Sequence, residues 1–388
     1  MENKSRRIAR IVSNHQLFQH LFDGVTDIRK HPSIGLRTIL TSFFLMPFFS
    51  LTSLFSLDRE ARTQRFKSLF GCSRKLVVSD STLRRVLGWL DPRQPRALLL
   101  KLLPSFERQG LLTRRLTDHS PLRRIGILDG SFMGGHWLSA LCLSGRINVP
   151  ALLAPRASQG DELTIGLPLM RASKALLGKA FPTLWLLDAL YFIRPVFRLL
   201  RRLDAHLLIK LKDAEYRQVT QDAANLFQHF GGDREAKGFD PQRMCSWSIR
   251  QTTASFAGFP VQVVHLQECY PKRIRDQNVD CWIVTTDLSL SLEEVRQAAH
   301  LRWQIENNLF KRLNHLAGTK RFRVKDPRAF FNLLHLLCVA VAVLHALIDI
   351  LSRHARIFKA LLAGAKFTWR NLFARFAEAY EGPLFAPY

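Results

Sequence analysis

The chain has 388 residues, with 57 Lys plus Arg against 31 Asp plus Glu, a formal charge of +26. Apolar residues make up 47% and charged residues 23%, which excludes a disordered basic tail and leaves enough chain for two or three domains with a sizeable core. So large a cationic excess calls for an anionic partner, with nucleic acid ahead of a membrane surface.

Residues 1–120 read as helical and basic. Lys4, Arg6, Arg7 and Arg10 are not followed directly by an apolar run, so no signal peptide is expected. Thr38–Leu57 is uncharged and long enough to span a bilayer, but its Ser and Thr content and the central Pro47 favour two short core helices. Between residues 61 and 120, thirteen Lys or Arg stand against four acids. Ser79-Asp80-Ser81 forms a capping cluster ahead of a helix whose Leu83, Val86, Leu87 and Leu90 face a core, leaving Arg84 and Arg85 outward. This segment is either a DNA-binding helical unit or a solvated basic face.

From residue 123 the texture changes. Strands are predicted at 125–129, 137–143 and 147–153, a helix at 165–177, a strand at 184–188, a basic helix at 194–203 and a strand at 206–211. This order gives an α/β fold built on a mixed sheet. Residues 213–280 read as a β-rich insertion, with strand-like pieces at 245–251 and 261–267. A strand at 281–286 resumes the sheet, and a long helix follows over 292–316. A second uncharged stretch, Ala329–Ile348, carries Asn332, His335 and His345. These are costly against lipid, so it reads as a buried helix packed behind the 292–316 helix. Residues 351–388 form a basic helical tail. Cys72, Cys142, Cys245, Cys269, Cys281 and Cys338 make neither a Cys-x-x-Cys nor a zinc-spaced set, and a reducing cytosol is the simplest compartment.

Three carboxylates stand out. Asp129 closes an apolar run and precedes Gly130, which suits a metal ligand at a sheet's carboxyl edge and equally a turn. Asp188 closes Leu184-Trp-Leu-Leu, as a ligand or as a helix cap. Glu306 shares a helix face with Arg302, either as an i,i+4 ion pair or directed into a polar cleft. Asp161, Glu162, Asp204, Asp213, Glu215 and Asp287 rank lower, because none ends a clear strand or combines with Arg on a largely apolar helix.

The order Leu-Asp-Gly at 128–130, Leu-Asp-Ala-Leu-Tyr at 187–191 and Arg-Trp-Gln-Ile-Glu at 302–306, with Thr285-Thr-Asp-Leu288 before the last, resembles the DDE transposases of bacterial insertion sequences, in particular the insertion-sequence type 4 group. The resemblance covers roughly residues 123–350. It implies a ribonuclease H-like catalytic domain over 121–350, interrupted by the 213–280 insertion, after a helical DNA-binding region at 1–120. Asp129, Asp188 and Glu306 would be the catalytic and metal-binding triad, taking two Mg²⁺ or Mn²⁺ ions. Arg302, Lys311, Arg312, Arg194 and Arg198 would contact DNA phosphates. The implied activity is cleavage at transposon ends and strand transfer into target DNA by a homodimer on double-stranded DNA, in the bacterial cytoplasm at the nucleoid, with no membrane. The group's signature has a Tyr seven residues before the Glu and a Lys seven after; this chain has Ala299 and Leu313 there. Other readings are a non-catalytic basic DNA-binding protein, a metal-dependent nuclease without strand transfer, and a membrane protein with two spans.

Overall fold

The computed structural model describes residues 21–49, 51–63, 78–211, 217–270, 278–304, 310, 313 and 324–353. Among the described residues, the N-terminal part supplies the helices α1 (Leu36–Leu45), α2 (Leu54–Ala61), α3 (Asp80–Trp89) and α4 (Arg93–Arg108). Pro47 falls between α1 and α2, so the uncharged 38–57 stretch breaks in two as expected, and Ser53 with Ser56 forms a capping box that starts α2. In α3, Ser79 caps the first turn, Leu83, Val86 and Leu87 are buried, and Arg84 and Arg85 are exposed, with Arg84 3.3 Å from Asp80.

A nine-stranded sheet follows, in the order β3-β2-β1-β4-β5-β9-β8-β7-β6. Its first part is the antiparallel meander β1 (Ile125–Met133), β2 (His136–Ser144) and β3 (Asn148–Arg156). Helix α5 (Glu162–Leu177) packs on β2 and β3, and its crossover leads to β4 (Leu184–Leu187), parallel to β1. Helix α6 (Arg194–Arg202) then leads to β5 (His206–Lys210), parallel to β4. The continuous burial of Ile125 to Leu128 and of Leu184 to Leu187 is that of parallel strands covered on both faces.

The segment expected as an interruption differs in two ways. It opens with a helix, α7 (Arg217–Phe230), and its strands β6 (Arg234–Asp240), β7 (Cys245–Phe256) and β8 (Phe259–Cys269) join the same sheet through β9 (Val279–Thr285), which pairs with β5. Hydrogen bonding across β8 and β9 is continuous, so backbone pairing carries the sheet straight through this region. Phe192, Phe197, Phe256 and Phe259 cluster at ring distances of 4.1–5.7 Å, seating the β7–β8 hairpin on α6.

Helix α8 (Leu292–Gln304) packs against β4 and β5 and reaches β6 and β7. The last described helix, α9 (Pro327–Arg353), packs on α1, α3, α4 and β3; most of residues 305–316 of the helix it was expected to pack behind lie outside the described residues. Helix α9 is long and apolar enough to cross a membrane, yet it is the helix around which the N-terminal helices assemble. Some of its polar groups find partners there: Asn332 Nδ2 donates to the Leu87 and Leu90 carbonyls, each at 2.8 Å, and His345 Nδ1 is 3.1 Å from the Asn148 carbonyl, while Asn332 Oδ1 and His335 Nε2 are buried without a hydrogen-bond partner among the described residues. Burial holds His335 at about 4, so it packs as a neutral ring. Of the tail, residues 354–388 lie outside the described residues.

Candidate active site

Asp129 does not end its strand. β1 runs four residues further to Met133, with Asp129 opposite Ala140 and Gly130 opposite Ser139 of β2, so Asp129-Gly130 is not a turn. The turn falls at Gly134 and Gly135, whose φ values are +58° and +90°. What ends at this level is the parallel pairing: β1 and β4 are in register through Ile127 and Leu186. Carrying that register two residues further sets Asp129 beside Asp188. The two acids therefore occupy adjacent carboxyl ends of the parallel pair, where open α/β sheets leave a crevice.

Each carboxylate accepts a hydrogen bond from the next backbone amide, Gly130 N–H to Asp129 Oδ1 at 2.9 Å and Ala189 N–H to Asp188 Oδ1 at 2.8 Å. Asp188 thus caps the short 3₁₀ turn Ala189–Tyr191. Arg302, near the end of α8, reaches across to Asp188 with an Nη2–Oδ1 distance of 3.4 Å, and its Nε is buried with no hydrogen-bond partner among the described residues. Burial pushes the Asp129 carboxyl up to about 6; Glu162 and Asp188 push the same way, against the Arg302 guanidinium and the Gly130 amide.

Glu162, ranked low from sequence, belongs to this neighbourhood. It opens α5, and its Oε2 accepts a 2.9 Å hydrogen bond from Arg156 Nη1, whose side chain is 1% exposed at the end of β3. Tyr191 donates to Glu162 Oε1 at 3.4 Å. Two glycines make the room. A Cβ at Gly130 would collide with the Glu162 carboxyl and with Arg156 Nη2, and one at Gly166 would lie 2.5 Å from the Tyr191 hydroxyl. Replacing Gly130 by Ala is therefore expected to cost about 1–3 kcal/mol, seen as a lower denaturant midpoint, because Gly130 is paired to Ser139 of β2 and the Glu162 and Arg156 side chains that would have to give way are held by their own ion pair.

The remaining sequence candidates are placed as follows. Arg194 and Arg198 are exposed on α6, whose Val196, Phe197, Leu199 and Leu200 are buried. Glu306, Lys311 and Arg312 lie outside the described residues. Ala299 and Leu313, at the two departures from the signature, are buried. His300 is held 2.9 Å from Glu268 Oε1 of β8. Asp287, also ranked low, is a structural ligand of the β9–α8 loop, bonded by Arg123 and Ser289.

Among the described residues, no three Asp, Glu, His or Cys side chains stand close enough to hold a metal ion. The hard carboxylate oxygens of Asp129 and Asp188 suit Mg²⁺ or Mn²⁺, and a cation beside Asp129 would relieve the burial that opposes its ionisation. No curated protein matches the chain. A solved structure of the piggyBac transposase synaptic complex with hairpin DNA is similar at 11% identity and a TM-score of 0.45, over 95% of this chain and 79% of that one. Residues 153–343, which take in Asp188 and Arg302 and begin after Asp129, match the family model described as the transposase DDE domain, and this match supports a transposase role.

Proposed function

We propose that the chain is a DDE transposase of the insertion-sequence type 4 group, which cuts DNA at transposon ends and joins them to target DNA. The observation that carries this is that Asp129 and Asp188 lie side by side just past the point where the parallel pairing of β1 and β4 ends, with Arg302 reaching Asp188. The strand order β3-β2-β1-β4-β5, antiparallel on one side of β1 and parallel on the other, supports a ribonuclease H-like domain.

Asp129 and Asp188 would hold the divalent ions, with Glu306, four residues beyond Arg302 in the sequence, completing the set. Bound there, Mg²⁺ or Mn²⁺ supplies activation of water or a DNA 3′-hydroxyl and neutralisation of the leaving oxygen. The protein's own part is orientation. The amides of Gly130 and Ala189 fix the two carboxylates, and Arg302 presents a forked cation to a phosphate oxygen once a metal competes for Asp188. The exposed arginines of α6 lie on the chain segment that follows Asp188 and suit the backbone of a bound duplex. Pairing two transposon ends calls for a homodimer on DNA.

The test is purified protein with Mg²⁺ and labelled DNA carrying the flanking terminal inverted repeats. Cleavage at the repeat boundary, abolished by EDTA, is expected; binding without cleavage would sink the proposal. In the same assay, replacing both Arg194 and Arg198 by Ala is expected to weaken DNA binding and to lower the slope of log affinity against log salt by roughly two, at about 0.9 for each phosphate no longer neutralised. An unchanged slope would remove α6 from the interface.

A further inference from the structure

The candidate metal pair has an anionic neighbour that neither ends a strand nor lies on the Arg302 helix. Side chains alternate across a strand, so the face left bare by Gly130 is the one opposite to Asp129. Glu162 occupies that face: its carboxyl sits where a Gly130 side chain would be, between Arg156 Nη1 and the Tyr191 hydroxyl. The Glu162 carboxyl thus lies against the residue that follows Asp129, on the opposite face of β1, and does not compete for the same ligand position. The cluster is built for a charge: two glycines open the space, and a buried arginine and a buried tyrosine fix the carboxylate in it.

We propose that Glu162 is a positioning residue that strengthens divalent-cation binding at Asp129 and Asp188 by placing a fixed negative charge behind the strand that carries Asp129. This rests on the metal-dependent reading of the site. Glu162 would touch neither the ion nor DNA. It would make the pair more anionic than two carboxylates facing Arg302, while Arg156 offsets part of its field and holds its orientation.

Mn²⁺ binding to the full chain, followed by electron paramagnetic resonance, tests this. The parent binds Mn²⁺ and Asp129→Asn does not. Glu162→Gln binds roughly tenfold more weakly, the low end of what neighbours of metal ligands contribute, and recovers parental cleavage at raised Mn²⁺. Glu162→Asp, which keeps the charge, restores most of the affinity. Arg156→Met removes the offsetting cation and binds Mn²⁺ at least as tightly as the parent, so the inference stands exposed to test even where Glu162→Gln fails to fold. Parental affinity in Glu162→Gln, or weakened affinity in Arg156→Met, overturns the inference while leaving the metal reading intact. No Mn²⁺ binding by the parent overturns both.

Discussion

Replacing Asp129 by Asn is expected to abolish DNA cleavage and, in the metal-free protein, to raise stability at neutral pH. The two effects have one cause. Burial, reinforced by Glu162 and Asp188, lifts the folded-state value of Asp129 to about 6 from the ordinary 3.8. The sign follows from linkage: a carboxyl whose folded value is raised favours folding while protonated, and that contribution is fully present below about 4 and lost as pH rises through about 6. Above pH 6 the ionised group is a burden that Asn does not carry. The gain is about 2 kcal/mol, somewhat below the full 1.36 kcal/mol per unit because the carboxyl stays partly open to solvent. Thermal unfolding in EDTA at pH 8 and at pH 4 measures it: Asp129→Asn should unfold at higher temperature than the parent at pH 8 and at nearly the same temperature at pH 4. Mg²⁺ should raise the parent's transition and leave the variant's unmoved. Equal stability of the two proteins at pH 8 would show that Asp129 is not under the electrostatic load inferred for it.

Much of the fold can be read from residue patterns because burial on both faces writes itself as continuous apolar runs. Ile125–Leu128, Leu184–Leu187 and Leu207–Ile209 are legible for this reason, and α3 is legible from its helical spacing. Strand β6 is not: Arg-Glu-Ala-Lys-Gly-Phe-Asp is an edge strand, largely exposed, whose charges protect the sheet's end and erase the apolar signal. Helix α7 carries a weaker signal inside a segment that otherwise reads as β-rich, since Val219, Ala223 and Phe227 recur every four residues, and Phe227 stacks on Trp282 at 5.9 Å. Of the site, Asp129 and Asp188 stand out because they close apolar runs, although it is the parallel pairing, not the strand, that ends at Asp129. Glu162 cannot be found the same way. It follows a loop and opens a helix, and only the crossover from β3 to β4 brings α5 under Gly130. Glycine in Asp129-Gly130 is the available clue, since a glycine inside a strand marks a close approach as readily as a turn.

The second large effect is expected at the junction of the sheet's far end with the helix that carries Arg302. Arg296 of α8 is 2% exposed and sits among three acids from three elements: Glu268 of β8 at 2.7 Å, Asp240 of β6 at 2.9 Å and Glu293 of α8 at 3.2 Å. Glu268, fully buried, also accepts from Tyr270 at 3.0 Å and lies 2.9 Å from His300 Nε2. Burial opposes ionisation of Glu268, but the bonds from His300 and Arg296 outweigh it and hold the carboxyl at about 2. Its contribution is therefore present above the ordinary glutamate range and lost only as pH falls through about 2. Glu268→Ala leaves Arg296 buried beside one fewer acid and is expected to cost about 3–5 kcal/mol, the range for removing one partner of a buried pair. A urea midpoint that shifts by less than the equivalent of about 1 kcal/mol would refute this. Arg302 lies six residues beyond Arg296 on the same helix, so a network that fixes α8 against β6 and β8 also fixes the approach of Arg302 to Asp188. Conditions mild enough to keep Glu268→Ala folded should thus show impaired DNA cleavage, although the substitution is made on a strand that touches neither carboxylate. Glu268→Gln, which keeps an acceptor for Arg296, should lose less of both stability and cleavage. If the two variants lost stability but cleaved as the parent does, the network would hold the sheet together without setting the site.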